Sequence, residues 1–93
     1  MIALNEYFDG QVKSLGYNNN GKSTVGVINP GEYEFGTSTY EVMTVVEGEM
    51  EVSLPEADSW KTYQAGEKFE VEADSSFKVR VAIPVAYHCK YGL

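Results

Sequence analysis

No stretch of this chain sustains a helical period. Short runs of alternating apolar and polar residues end repeatedly at glycine, proline or asparagine. That punctuation leaves no room for helices of ordinary length and points to an antiparallel sandwich or barrel. The candidate strands are 11–17 (QVKSLGY), 23–28 (STVGVI), 32–37 (EYEFGT), 40–47 (YEVMTVVE), 49–54 (EMEVSL), 59–64 (SWKTYQ), 68–72 (KFEVE), 76–83 (SFKVRVAI) and 86–91 (AYHCKY). Between them, NNNGK at 18–22 carries residues that tolerate positive φ and suits a hairpin end. Asn29-Pro30-Gly31-Glu32 places Pro and Gly at the central positions of a type II turn. Gly48 and Gly66 mark two further connections, and Pro55 and Pro84 close off strands. Nine such strands in 93 residues fill a chain that can bury one compact core, so residues 1–93 read as one all-β domain without repeat or linker.

Charge narrows the partners. Fourteen acids against seven lysines and arginines give a net charge of −7, which repels nucleic acid and anionic membranes. A small anionic ligand would need a locally cationic spot. One cysteine, Cys89, excludes an internal disulfide and suits a reducing compartment. The start MIALNEYFDG lacks the basic and apolar regions of a signal peptide, and no run reaches membrane-spanning length. The expected location is the cytoplasm. The segment 47–58 holds five acids and no base, and in EMEVSL the acids Glu49 and Glu51 share what reads as a solvated outer face.

One strand poses a question. In TYEVMTVVEG (39–48), Val42, Thr44 and Val46 form one apolar face, which should pack against a second sheet or a partner subunit. The other face starts with Glu41 and continues with Met43 and Val45. Either the acid sits at a wet strand end, or it points into a cavity.

Glu41 stands seven residues before Gly48, and QAGEKFEVEADSSF carries Gly66 ahead of alternating residues and a polar turn. These spacings resemble the two motifs of the cupin superfamily. Laid on this chain, Glu41 and Gly48 match the acid and glycine of the first motif, and Gly66 opens the second. The histidine positions of the first motif fall near Phe35 and Thr37, and the proline, glycine and histidine of the second fall on Glu72, Asp74 and Phe77. Only the glutamate remains of the metal-ligand set, and one carboxylate does not hold a transition metal. His88 and Cys89 are adjacent, so at most one can enter the interior of a strand-built shell. No metal and no cofactor are expected.

A closer resemblance runs collinearly from Asn5 to Tyr91. NEYFDGQVKSLGY, GEYEF, EVMTVVEG, the run from Leu54 to Trp60, YQAG and AYHCKY are similar to the pyrimidine/purine nucleoside phosphorylase family, small single-domain cupins. The resemblance implies a single-domain cupin (RmlC-like jelly-roll) antiparallel β-barrel that forms a homodimer. It implies cleavage of purine and pyrimidine nucleosides by inorganic phosphate, giving free base and ribose 1-phosphate. Nucleoside and phosphate are then the partners.

That chemistry can be laid on particular residues. Glycosidic cleavage passes through an oxocarbenium-like transition state, which a carboxylate stabilises, and phosphate is itself the nucleophile. Glu41 is the candidate for the ribose hydroxyls and the developing charge. Strand parity in the motif register turns Tyr33, Phe35, Met43 and Phe77 inward, with Tyr87, Cys89 and Tyr91 sharing a face of the last strand. Tyr33, Phe35, Met43, Phe77, Tyr87 and Tyr91 are the candidate substrate-binding residues, since such a lining stacks on any base without reading its edges. For each aromatic the alternative is a filled β core. Arg80 offers a planar fork suited to phosphate and is a second catalytic candidate, although alternation sets it opposite Phe77 and Val79. Lys13, Lys22 and Lys90 are candidate phosphate-binding cations at the rim, each alternatively a solubilising surface lysine. Two rival readings stay open: a non-catalytic cupin barrel that binds a small sugar or metabolite, and a metal-dependent cupin enzyme with unusual ligands.

Overall fold

A computed structural model describes residues 1–55, 57 and 59–92. Two acids of the 47–58 segment, Glu56 and Asp58, therefore lie outside the described residues. Ten strands follow one another: β1 (Ala3–Tyr7), β2 (Val12–Asn18), β3 (Lys22–Ile28), β4 (Gly31–Gly36), β5 (Glu41–Glu47), β6 (Glu49–Ser53), β7 (Lys61–Gln64), β8 (Lys68–Val71), β9 (Ser76–Val81) and β10 (Val85–Tyr91). Nine of them match the expected segments to within two residues at each end. The tenth, β1, is absent from the sequence reading because nearly every residue in it is exposed, so burial imposes no alternation on its side chains.

The strands form two antiparallel sheets, of six strands in the order β1-β2-β3-β10-β5-β8 and of four in the order β4-β9-β6-β7. The sheets face one another but are not closed into a barrel, which corrects the expected closure. Alternation reports which face is inside. It does not report whether edge strands pair, and among the described residues β1, β8, β4 and β7 end their sheets.

The inner faces follow the pleat. Met43 and Val45 of β5, Met50 and Val52 of β6, Phe77, Val79 and Val81 of β9, and Val85, Tyr87 and Cys89 of β10 are all buried. Their apolar area leaves water, which stabilises the fold by roughly 25 cal/mol per Å². A file of ring contacts crosses this core. It runs from Phe8 to Phe35 (5.6 Å), to Phe77 (5.6 Å), to Phe69 (5.7 Å) and to Tyr63 (4.9 Å). The outer faces carry the charges where expected: Glu49 is exposed, and Glu51 receives a two-pronged hydrogen bond from Arg80 at 3.1 and 3.2 Å.

Two local expectations resolve differently. The 18–22 hairpin forms as anticipated, with Asn20 at φ +51° and Gly21 at φ +124°. The Asn29–Glu32 segment is not a type II turn, because Gly31 has φ +149° rather than the value near +80° that this turn demands. Gly31 already belongs to β4, and the Tyr33 hydroxyl donates to the Asn29 carbonyl at 2.8 Å, tying down the passage from one sheet to the other. The face Val42, Thr44, Val46 meets no second sheet: Val46 is 57% exposed.

Candidate functional site

Where the sheets part, between β1, β2, β3, β5 and β10 on one side and β4 and β9 on the other, they enclose a cavity of about 470 Å³. Its walls include Phe35, Glu41, Met43, Phe77, Tyr87 and Tyr91, which four strands, β4, β5, β9 and β10, bring together from positions 35 to 91. Tyr33 is the exception among the aromatic candidates. It is buried in the core with its hydroxyl committed to the Asn29 and Pro30 carbonyls, so it supports the wall from behind.

Glu41 is 9% exposed and begins β5 on the inward face. The choice left open by the sequence is therefore settled against a wet strand end. β10 runs beside it in a register that pairs Glu41 with Tyr91 and Met43 with Cys89. The Cys89 thiol donates to Glu41 Oε1 at 3.5 Å. Burial pushes the Glu41 carboxyl above the usual carboxylate range, while the thiol bond and the positive charge of Lys22 pull it back. Burial, followed by the Glu41 charge, pushes the thiol up to about 12, so Cys89 is a protonated donor rather than a nucleophile. Cys89 is fully buried, and its bond to the acid is not legible in the sequence, since no spacing pairs residues 41 and 89. His88 falls on the opposite face.

The four candidate cations separate. Lys22, at the start of β3, lines the cavity, with its ammonium 4.7 Å from the centroid of the Tyr91 ring. Among the described residues it is the only lysine or arginine that does so. Arg80 is corrected out of the site: the pleat of β9 turns it to the outer face, where it pairs with Glu51 and stacks 4.0 Å from the Trp60 ring centroid. Lys13 faces outward from β2 and approaches Glu6 at 4.0 Å. Lys90, also outward, donates to the Asn19 carbonyl. Neither lines the cavity.

Several wall residues escaped the sequence reading. Tyr7 and Phe8 come from the unrecognised β1 and its turn, and Ser14 and Ser38 add hydroxyls. Phe8 has φ +54°, a left-handed conformation that a bulky side chain rarely adopts. The next residues, Asp9 and Gly10, are also left-handed, and the tight turn they form is closed by backbone bonds from Gly10 to Tyr7 and from Gln11 to Phe8. The turn holds the Phe8 ring, 46% exposed, against Tyr33 at 5.0 Å and Phe35 at 5.6 Å, at the lip of the cavity. The DG pair at 9–10 was the available signal. Gly26 has a packing reason of its own: a Cβ there would lie 2.7 Å from both the Tyr87 hydroxyl and the Lys13 carbonyl. Only glycine lets Tyr87 cross β3. Burial pushes the Tyr87 hydroxyl up to about 12, so it too stays a neutral donor.

Among the described residues no three His, Cys, Asp or Glu side chains converge to hold a metal ion. The cavity offers instead one buried carboxylate, one ammonium group, several hydroxyls and a mostly aromatic lining. Such a site can accept hydrogen bonds from a polyol, stabilise nearby positive charge and stack on a planar ring.

The sequence profile described as pyrimidine/purine nucleoside phosphorylase matches residues 2–91. A protein of that name from Pseudomonas putida (strain W619) is 53% identical over 92 residues, covering 98% of both chains. A crystal structure of a protein of unknown function from Vibrio parahaemolyticus superposes with a TM-score of 0.95 at 48% identity, covering 98% of each chain. An RmlC-like cupin from Shewanella frigidimarina, 20% identical, superposes with a TM-score of 0.76 over 97% of this chain and 82% of that one, which speaks to the fold alone.

Proposed function

This chain belongs to the pyrimidine/purine nucleoside phosphorylase family, and from that premise we propose that it transfers the ribosyl group of both purine and pyrimidine nucleosides to inorganic phosphate. The observation that carries the reading is Glu41, a buried carboxylate in an aromatic-lined cavity with Lys22 beside it. In the proposed reaction the nucleoside lies with its base among Phe8, Phe35 and Phe77 and its ribose hydroxyls on Glu41. As the C1′–N bond breaks, its electron pair goes to the base and positive charge grows on the sugar, where the Glu41 carboxylate stabilises it. A phosphate oxygen, held by Lys22, forms the new bond to C1′, and the proton that phosphate loses ends on the base nitrogen. Stacking without edge-reading donors supports acceptance of many bases. The reaction asks for no metal, and we place it in the cytoplasm, where a free buried thiol such as Cys89 is at home.

The test is direct. Protein treated with chelator and incubated with uridine or adenosine should release free base when inorganic phosphate is present and none when it is left out. Release that ignores phosphate points to hydrolysis. No release from any nucleoside, with the fold intact, leaves a shell that only binds small metabolites.

We also propose that the protein works as a homodimer. The support is the outer face of the six-stranded sheet, where the register sets Leu4 beside Leu15 and Leu15 beside Val25, with exposed Val27 and Val46 nearby. An apolar patch of this kind on a free sheet face marks an interaction surface. Val25→Asp should shift the mass measured by light scattering from two chains to one, with the circular dichroism spectrum unchanged. A dimer that survives Val25→Asp places the interface elsewhere.

A further inference from the structure

A second cavity, of about 390 Å³, adjoins the first and shares Tyr7, Lys22 and Tyr91 with it. It lies over the inner face of β1, β2 and β3. Ala3 pairs with Gly16, and Gly16 with Thr24, so small side chains leave a hollow there. Its polar side chains are the Asn5 and Asn18 amides, the Thr24 hydroxyl, the Lys22 ammonium and the phenols of Tyr7, Tyr17 and Tyr91. The Asn5 amide lies 3.4 Å from Ser14 Oγ, a wall residue of the first cavity, and the Thr24 hydroxyl lies 3.2 Å from that of Tyr91. Asn5 and Tyr91 thus stand at the partition.

Charge separates the two chambers. The first is lined by Glu34 and Glu41, and three other cavities by Glu70 and Glu72, by Glu49 and Glu51, and by Glu34. Of these five cavities the second chamber alone has no carboxylate in its lining. For a dianion in a protein of net charge −7 that difference is large, because each acid within a few ångströms opposes it at low dielectric. Amide N–H, hydroxyl and ammonium groups are donors suited to phosphate oxygens.

We propose that this second chamber is the phosphate subsite, with Asn5 and Thr24 as its neutral donors and Lys22 as the cation at its junction with the nucleoside chamber. The inference rests on the phosphorolytic reading of the first cavity. Phosphate bound there meets C1′ at the Lys22–Tyr91 partition, from the side away from the aromatic wall that stacks the base. The product ribose 1-phosphate then spans both chambers, sugar on Glu41 and phosphate on Asn5, Thr24 and Lys22.

Asn5→Asp, which sets a carboxylate in the chamber, and Thr24→Val, which removes a hydroxyl at nearly constant volume, test the assignment. Binding of inorganic phosphate is followed by calorimetry, and the KM values for phosphate and nucleoside are measured alongside. Asn5→Asp is expected to raise Kd and KM for phosphate by about 10-fold or more, and Thr24→Val by about 3- to 10-fold, with the nucleoside KM moved less than about 2-fold. Unchanged phosphate constants in both folded variants, or a rise in the nucleoside KM alone, overturn the proposal. A chamber that takes the base predicts the second of these. Phosphate binding that is sensitive to Asn5→Asp but accompanied by no base release keeps the subsite and removes the phosphorolytic reading instead.

Discussion

Glu41→Gln is expected to lower kcat/KM for phosphorolysis by about 10²-fold or more while leaving the fold at least as stable as before. The two halves have one physical origin. Glu41 is buried, so its ionised form is disfavoured and its folded pKa lies above the unfolded value. Stability linked to the protonated acid is fully present below the unfolded pKa and is lost as pH rises through the folded one. At neutral pH the carboxylate therefore burdens the fold, and glutamine, which can still accept the Cys89 bond, removes that burden. Melting temperatures of the two proteins should coincide at acid pH and diverge in favour of the glutamine variant toward neutrality. A variant that keeps more than about half the activity removes Glu41 from the reaction. One that unfolds shows that its charge supports structure rather than chemistry.

Lys22→Met should act on two quantities at once. Loss of a charge-assisted hydrogen bond, worth about 1.5–3 kcal/mol, raises the KM for phosphate by between about 10- and 100-fold. Lys22 also holds the Glu41 pKa down, so its removal raises that pKa and moves the acid limb of the kcat/KM profile to higher pH. A purely local phosphate contact would give the first effect without the second, and a surface lysine would give neither. The same substitution at Arg80, which faces away and is paired with Glu51, serves as the contrast.

How far the sequence disclosed this arrangement depended on burial. Strands with one face in the core, such as β5, β6 and β9, print that face as an every-second-residue pattern, and Glu41 could be placed inward with Met43 by the same rule. β1 touches water on both sides and left no print, so Tyr7 and Phe8 were missed along with the chamber it roofs. Alternation, common to barrels and sandwiches, leaves closure open; the closed barrel was an expectation of the family resemblance alone, and the two sheets do not meet it. Arg80 was retained as a candidate for its chemistry although its parity already turned it outward, and the structure sides with parity. Pairings between distant residues, Cys89 with Glu41 or Thr24 with Tyr91, depend on register and could not be read from spacing.

The unbroken file of rings from Phe8 to Tyr63 bears on how this enzyme can change. Phe35 and Phe77 are wall and core at the same time, so a substitution that enlarges the nucleoside chamber also opens a void in the packing. Selection for a new base must then pass through destabilised intermediates. The polar chamber over β1 to β3 is coupled to that packing only through Tyr91 and its partner Thr24, since Asn5 and Lys22 stand apart from the aromatic file. Under the proposed assignment, evolutionary freedom in this small fold is unevenly divided: Asn5, at the end assigned to the anion, stands outside the packed rings, while the end assigned to the base is kept in place by the fold itself.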